Sequence, residues 1–413
     1  MEVVYRRCAG IDVGKRDVKV CVRVQGVRSR PTSMEVTTWG TSMPQLRRLR
    51  AKLVGAGVQR VVLESTSDYW RPVFYVLAEE LDVVLVRASD VKAVPGRKSD
   101  VSDSEWLASL GAHGLVRASF VPPEHQRQFR DLTRARARLL QDRAREVQRL
   151  EKELEDACIK LSAVVSDLQG VSARRMLAAL IDHESDPAVI ADLSEGRLRR
   201  KIDQLTEALT GRVTDHHRFL LSFRLSRIDA ATADLARLEA RIDELVEREG
   251  FSAARELLCS VPGLGKHGAE DLLAEIGADM SVFPSAEELA SWVGVVPGCH
   301  ESAGKKKTVR ARPGNRYAKR ALGIAAKAVG RKKTGFLAAR FRRIAARRGY
   351  HKALVATERA MITAIWHMLS TGEYYRDLGG DYHTRHDAQR SLRRRIAALE
   401  AAGYTVIKPP QAA

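Results

Sequence analysis

The sequence predicts an α/β domain with a mixed sheet, followed by two long helices and a helical C-terminal region. Up to residue 87, strand-like alternation and short apolar runs are interspersed with apolar residues at helical spacing. Two later stretches, 124–156 and 215–249, contain neither Gly nor Pro. A Pro-Gly-x-Gly turn at 262–265 then separates two further helical patterns. We therefore expect the chain to be organised in four domains or regions, which are residues 1–123, 124–250, 251–372 and 373–413.

The first segment begins with a predicted hairpin, because alternation at 8–13 and 18–22 is separated by Gly14 and Lys15. A third strand is expected at 34–39. The remaining pattern alternates between helix and strand, which predicts a mixed sheet rather than a purely antiparallel one. The expected elements are a helix through Leu46 and Leu53, a strand at 58–63, a helix at 69–81, a strand at 83–87 and a helix at 101–110.

Four carboxylates stand at the ends of these elements and predict a metal site. Asp12 lies in the first strand and Glu64 follows the apolar run at 58–63. Asp100 and Asp103 are three residues apart, which puts two side chains on one face of a helix. Gathered together they would repel one another unless a cation were present, and hard oxygen ligands suit Mg²⁺ or Mn²⁺. The bland alternative is a set of structural salt bridges.

Charge indicates the partner class. The chain of 413 residues has a net charge of +19. Residues 301–413 alone contain 26 Lys and Arg against 7 Asp and Glu. This favours a polyanion such as nucleic acid, the alternative being a basic surface without a partner. No apolar run of membrane-spanning length, signal-peptide pattern or paired CxxC motif is present, so we expect a cytoplasmic protein without a zinc site.

The two long helices each carry a distinct pattern. Arginines cluster on the first at 134, 136, 138, 143 and 145, which indicates either a nucleic-acid contact or a solvated face. On the second, apolar residues from Leu221 to Leu245 recur every three or four positions, an approximate heptad seam with one skipped residue. An antiparallel pair within the chain and a seam between molecules are both consistent with this pattern.

The turn at 262–265 resembles that of a helix-hairpin-helix. Gly263 and Gly265 would let backbone N–H groups approach a phosphate, and Lys266 opens a helix whose N-terminus is positive. Such a contact positions a nucleic-acid backbone without reading bases. An ordinary helical turn is the alternative.

A second loop places Ser302 before Lys305, Lys306 and Lys307. The phosphate-loop motif fails here, because Gly298 and Gly304 enclose five residues instead of four. Adjacent Cys299 and His300 are unsuited to a nucleophile–base pair. From the residues alone, Ser302 as a nucleophile and Ser302 as a loop cap are equally supported.

Taken together, these motifs resemble the DEDD-type insertion-sequence transposases, which pair a RuvC-like domain with a serine-bearing C-terminal domain. The sequence departs from the usual residues of that family at Ser67-Asp68 and at Ser99, and neither departure alters a carboxylate. The resemblance covers roughly residues 8–330. It is carried by Gly10-Ile11-Asp12-Val13, Leu63-Glu64-Ser65-Thr66, Arg97-Lys98-Ser99-Asp100-Val101-Ser102-Asp103, Val261-Pro262-Gly263-Leu264-Gly265, Trp292-Val293-Gly294-Val295-Val296-Pro297-Gly298, Glu301-Ser302-Ala303-Gly304-Lys305 and Gly314-Asn315-Arg316.

The resemblance implies an RNase H/RuvC-like fold for 1–123, RNA contact and oligomerisation for 124–250, and a transposase domain with helix-hairpin-helix and catalytic serine for 251–372, before a basic tail. It implies catalysis by Asp12, Glu64, Asp100, Asp103 and Ser302, with Mg²⁺ on the carboxylates and a covalent phosphoserine intermediate. The residues expected to contact nucleic acid are Lys98, Arg134, Arg138, Gly263, Gly265, Lys266, Lys305, Lys306, Lys307 and Arg316.

The same resemblance implies partners. They are donor and target double-stranded DNA, a non-coding bridge RNA that pairs with both, and further copies of the chain. In a dimer or tetramer, the carboxylates of one protomer would meet the serine of another. The expected location is the cytoplasm of a prokaryote, at the nucleoid.

Two alternatives remain at this stage. One is a Mg²⁺-dependent, junction-resolving nuclease that uses water in place of Ser302. The other is a non-catalytic RNA-binding scaffold, which the charge supports but which leaves the four carboxylates unexplained. A Ser302→Ala substitution separates the first from a serine recombinase, and strand exchange that depends on Asp12 would exclude the second.

Overall fold

The structure, a computed structural model, divides the chain into two compact units, Met1–Pro122 and Pro123–Ala413. Each is described by itself. For residues 301–302, 305–306, 386–391 and 394 the structure describes the backbone alone. The residues that it describes are 2–27, 31–65, 67–87, 91, 103–298, 301–302, 305–306, 311, 313–403 and 405.

The first unit contains a five-stranded mixed sheet in the order β3-β2-β1-β4-β5. β1 pairs antiparallel with β2 and parallel with β4, and β4 pairs parallel with β5. The predicted mixed sheet and hairpin are confirmed. The elements are β1 (Arg7–Val13), β2 (Asp17–Val24), β3 (Ser33–Gly40), α1 (Met43–Gly55), β4 (Arg60–Glu64), α2 (Trp70–Leu77), β5 (Val83–Val86) and α3 (Asp103–Ala112).

Helices cover both faces of this sheet, and the alternation along β1 explains the arrangement. Ala9, Ile11 and Val13 belong to one apolar cluster with residues of α1 and α2. Cys8 belongs to a second cluster with Leu107 and other residues of α3. Residue 12 alternates with Ala9, Ile11 and Val13 along the strand and therefore faces α3.

One predicted helix in this unit is shorter than expected. The pattern at 69–81 predicts thirteen helical residues, whereas α2 ends at Leu77. The chain then turns towards β5 and brings Asp82 within 2.8 Å of Arg60 at the start of β4. Helical spacing alone does not reveal this turn.

The second unit is helical apart from one short ladder. Its helices are α4 (Glu124–Asp156), α5 (Leu161–Val164), α6 (Val171–Ile181), α7 (Pro187–Asp192), α8 (Ile202–Leu209), α9 (Asp215–Arg248), α10 (Ser252–Cys259), α11 (Lys266–Ile276), α12 (Ala286–Val293), α13 (Arg316–Arg331), α14 (Phe336–Arg348), α15 (Tyr350–Thr371) and α16 (Tyr382–Ala401). The ladder pairs β6 (Glu301–Ser302) with β7 (Lys305–Lys306), and 3₁₀ turns occupy Gly196–Lys201 and Met280–Val282.

The long helices α4 and α9 form an antiparallel pair within the chain. His217 contacts Asp156 at 3.0 Å, and Thr232 accepts a hydrogen bond from Arg143 at 3.4 Å. The fully buried positions of α9 include Leu221, Ile228, Leu235 and Ile242, which recur every seven residues. The structure therefore selects the intramolecular alternative for the predicted seam.

Each end of this pair contributes to a separate apolar core. Leu150 and Leu221 pack with the short helices α5 to α8. Phe129 and Ile242 pack with α10 to α15. The C-terminal segment, expected from residue 373 to be a basic tail, contains helix α16. None of the described helices is long and apolar enough to cross a membrane.

Candidate active site

Asp12 and Glu64 stand side by side at the carboxyl ends of two parallel strands. β1 and β4 are paired in register up to Ile11 and Leu63. Asp12 and Glu64 each occupy the next position, so their side chains project from the same face of the sheet. Neighbouring strands are about 4.8 Å apart, which puts the two carboxylates within reach of one small ligand. Both side chains are partly exposed.

Helix α3 crosses this face and brings a third carboxylate to it. Gly10 allows the close approach, since a Cβ there would lie 2.2 Å from the carbonyl oxygen of Ser104. At the other end of the helix, a Cβ on Gly111 would lie 2.6 Å from the sulfur of Cys8, two residues before Gly10 on β1. The N-terminus of α3 thus lies towards the carboxyl ends of the strands. Asp103, its first residue, is brought towards Asp12.

The electrostatics of Asp12 reflect these surroundings. Burial raises the pKa of Asp12, and the nearby negative charge of Asp103 raises it further. Lys19, its cross-strand neighbour on β2, and the backbone N–H of Val13 oppose this rise in pKa. The ionised form of Asp12 is therefore disfavoured, as expected where carboxylates gather without a cation.

Asp12, Glu64 and Asp103 supply the oxygen ligands that a hard divalent cation prefers. Within the ranges that the structure describes, no three His, Cys, Asp or Glu side chains are grouped closely enough to hold a metal ion. Asp100, the fourth predicted ligand, lies outside those ranges, as do Lys98, Lys307, Cys299 and His300. Their predicted roles stay predictions.

Ser302 lies in a small hairpin that the sequence pattern did not predict. The backbone of Ser302 pairs with Lys305, and that of Glu301 pairs with Lys306. An isolated bridge pairs Pro297 with Ala311. Ser302 is consequently the last paired residue of β6. Strands of two residues carry no periodicity, which explains why sequence reasoning missed them.

Both flanks of the serine segment are fixed to helices. A Cβ on Gly314 would lie 2.1 Å from the carbonyl oxygen of Val293, so the chain can pass there only without a side chain. Asn315 then caps α13 by accepting hydrogen bonds from the backbone N–H groups of Tyr317 and Ala318, both at 3.0 Å. Before the segment, Lys319 donates to the carbonyl oxygen of Gly294 at 3.1 Å.

The buried carboxylate of Glu275 connects Asn315, at the end of the serine segment, with the long helix α4. Glu275 is 1% exposed and accepts two hydrogen bonds from Arg134, at 2.7 and 2.8 Å. It also accepts one from the amide of Asn315 at 2.6 Å. Arg130 adds a second cation, and burial lowers its pKa to about 10 despite the opposing charge of Glu275. Arg134 also stacks over Tyr317 at 4.5 Å.

The arginine cluster on α4 is therefore only partly available to a nucleic acid. Arg136, 1% exposed, is paired with Glu270 and, at 2.8 Å, with Asp271. Arg138 is exposed and donates only to the carbonyl oxygen of Arg134, at 3.3 Å, among the hydrogen bonds of the described residues. Contact of Arg134 and Arg138 with nucleic acid stays a prediction. The internal partners lie more than 130 positions away, so no local pattern indicates them.

The two turn glycines have different surroundings. Gly263 has φ +85°, and a Cβ there would lie 2.6 Å from the carbonyl oxygen of Ala325 on α13, so its role is at least partly packing. Gly265 is the N-cap residue of α11 and faces open space. Lys266, half exposed, forms an ion pair with Asp243 at 2.7 Å.

Arg316 occupies the first position of α13. Its guanidinium lies over the ring of Tyr317, 4.8 Å from the ring centroid, and donates to the tyrosine hydroxyl at 3.0 Å. The side chain is therefore held close to the exit of the serine segment. Its predicted contact with nucleic acid stays a prediction.

Comparison with known families gives two matches. Residues 9–159 match the family DEDD_Tnp_IS110, described as a transposase, and this range contains the three described carboxylates. Residues 255–341 match the Transposase IS116/IS110/IS902 family, and this range contains the turn glycines and Ser302. No curated protein matches the chain.

Proposed function

The chain belongs to the IS110 family of DEDD-type insertion-sequence transposases, and we propose that it cuts and rejoins DNA through a covalent phosphoserine at Ser302. Family membership makes it a transposase of a mobile element that acts on DNA. The observation that supports the proposed chemistry most is the in-register pair Asp12 and Glu64 beneath the first residue of α3.

We propose further that the first unit has an RNase H/RuvC-like fold. The order β3-β2-β1-β4-β5, with one antiparallel hairpin extension and two parallel neighbours, supports this assignment. In open sheets with parallel strands, ligands bind outside the carboxyl ends of those strands. Asp12 and Glu64 lie at that edge.

Asp12, Glu64, Asp100 and Asp103 would hold Mg²⁺, or Mn²⁺ in its place. When bound, the cation would neutralise charge on the scissile phosphate and on the entering and leaving oxygens. The raised pKa of Asp12, caused by burial and by Asp103, supports a cation site, since a positive charge there would favour the ionised carboxylates. The chain's own contribution is to hold the carboxylates on rigid strands and on a packed helix.

In the proposed reaction, the Ser302 hydroxyl attacks the phosphorus of one DNA strand. The new Oγ–P bond forms as the bond to the departing strand oxygen breaks, the serine proton passes to a base, and the departing oxygen takes up a proton. The phosphoserine conserves the energy of the broken ester bond. A DNA hydroxyl can therefore reverse the step and join new strands without ATP.

The family resemblance also supports a guide RNA and a composite site. We propose that a bridge RNA pairs with donor and target DNA, so that base pairing supplies the choice of sequence. In a dimer or tetramer, carboxylates from one protomer would act with Ser302 from another. The net charge of +19 is consistent with simultaneous binding of several nucleic-acid strands.

A Ser302→Ala protein tests the nucleophile. With its RNA, both DNAs and Mg²⁺, the wild-type chain should give a protein–DNA adduct that survives denaturing electrophoresis. The variant should give neither adduct nor cleavage, a loss of about 10³-fold or more, as is usual when a nucleophile is removed. Cleavage that continues in the variant would support the water-using nuclease instead.

A further inference from the structure

A continuous part of the C-terminal region has cationic side chains and no acidic ones. Residues 302–357 contain 18 Lys and Arg and no Asp or Glu. This range includes α14 and the beginning of α15, which are joined at Gly349. Ion pairs therefore cannot form among the side chains of this stretch, and any counter-charge must come from elsewhere in the chain or from a ligand.

Arg340 on α14 is the cation whose environment is most informative. Leu337 and Phe341, on either side of it, are buried in the core, and Arg340 is itself partly buried. Its Nε is covered and has no hydrogen-bond partner among the described residues. Burial lowers the pKa of Arg340, and the positive charges of Arg343 and Arg359 lower it further.

Two inward-facing arginines of α4 are arranged differently. Arg136 pairs with two carboxylates and Arg134 is held bidentately by Glu275. Arg342, two positions from Arg340, donates to the carbonyl oxygens of Lys332 and Lys333 at 2.7 and 2.9 Å. A desolvated guanidinium beside like charges is unfavourable for the folded chain, and an external anion would relieve it.

Arg340 of α14 and Arg359 of α15 come from two helices that pack against each other. Arg343 shares a face of α14 with Arg340, three residues away, and has an interaction of its own. Arg347, exposed one turn further along α14, extends the same face. A guanidinium binds phosphate oxygens through two parallel hydrogen bonds, which makes phosphate the anion best suited to this cluster.

We propose that Arg340, together with Arg359, binds a backbone phosphate of duplex DNA. DNA is the substrate class of the family, which is why DNA is chosen over other phosphate-bearing polymers. The proposal rests on that membership and is independent of the chemistry proposed for Ser302. The site lies on α14 and α15, whereas the turn at Gly263 precedes α11 and the lysines after Ser302 precede α13.

Equilibrium binding of the full-length protein to a 30-base-pair DNA duplex tests this site, with Arg340→Gln as the variant and Arg342→Gln as its neighbour control. Measurements are made without divalent metal, so that binding is separated from strand cleavage. One lost phosphate contact should reduce the slope of log K against log salt by about 0.9, which corresponds to about 8-fold weaker binding at 0.1 M salt. Arg342→Gln should leave the slope unchanged.

The melting temperature provides the readout that a merely structural arginine would move. Because Arg340 is desolvated among like charges, Arg340→Gln should leave the melting temperature unchanged or raise it. A lower melting temperature, or an unchanged salt slope, would overturn the proposal. An RNA duplex of the same sequence is measured in parallel, and a loss confined to RNA would overturn the assignment to DNA. None of these outcomes depends on formation of the Ser302 adduct.

Discussion

At the scale of single residues, Asp12 lies in surroundings that would be stabilised by a nearby positive charge. Its carboxyl is partly buried and next to Asp103, and burial followed by that charge raises its pKa. The folded state therefore binds the Asp12 proton more tightly than the unfolded state does. The resulting stabilisation is complete below the ordinary pKa of 3.8 and is lost as the pH rises through the folded value.

Asp12→Asn should consequently be no less stable than the wild-type protein at neutral pH without metal, and the stability difference should disappear below pH 3.8. Mg²⁺ at one hundred times its Kd should stabilise the wild-type chain by about 2.7 kcal/mol and the variant much less. Melting temperatures across pH, with and without Mg²⁺, measure both effects. Asp68→Asn, an exposed carboxylate near Arg71, is the control. A metal-free Asp12→Asn protein that melts below wild type would contradict this account.

The positions of Asp12, Glu64 and Asp103 in the fold were predictable because each lies at or near the end of a recognisable element. Asp12 and Glu64 come at the ends of apolar runs, and parallel strands bring such ends together. Arg134 was not predictable in the same way. Its position in a basic cluster indicates nucleic acid, whereas its bidentate partner Glu275 lies 141 positions away. The local sequence pattern around an arginine does not indicate an ion-pair partner so far away in the chain.

At the scale of elements, the junction of α4, α11 and α13 depends on Glu275. Its carboxylate joins Arg134 of α4 to Asn315, the cap of the helix that leaves the serine segment. Removal of one member of a buried ion pair leaves the other charges without compensation. The stability of this junction should therefore fall when Glu275 is replaced by a neutral side chain of the same shape.

Glu275→Gln should lower the free energy of unfolding by about 3–5 kcal/mol, because two partly buried guanidinium groups lose their buried carboxylate partner. Asp234→Asn removes the exposed ion pair with Arg237 and should cost less than about 1 kcal/mol. Urea unfolding of both variants gives the comparison. A loss for Glu275→Gln no greater than that of the control would mean that the network does not stabilise this junction.

The long helices were predictable in extent and their partner was not. Absence of Gly and Pro indicates the lengths of α4 and α9, and the seam on α9 indicates that it packs against a helix. Heptad spacing is the same for a partner in the same chain or in another chain. The observed contacts, such as Arg143 with Thr232, make the partner α4.

At the scale of the whole molecule, the chain combines two matched regions with different proposed tasks. Residues 9–159 carry the carboxylates and 255–341 carry Ser302. Positive charge is concentrated in the later part of the chain, where residues 302–357 contain no acidic residue. The mixed sheet and the helical remainder were predictable from periodicity. The hairpin around Ser302 was not, because each of its strands has only two residues.

The central claim is that the carboxylates and Ser302 act on one phosphate in a site built from two protomers. Mixing inactive Asp12→Ala and Ser302→Ala chains tests this claim most directly, since a mixed dimer would contain one site with both groups intact. Each variant carries a different affinity tag, so that formation of mixed oligomers is verified before the DNA–protein adduct is measured.

Neither variant alone should form the adduct, and random reassortment of a two-fold dimer should restore about one quarter of the wild-type amount. The recovered adduct should carry the tag of the Asp12→Ala chain, because that chain supplies Ser302. Verified mixed oligomers that form no adduct would contradict the account, and so would an adduct on the Ser302→Ala chain.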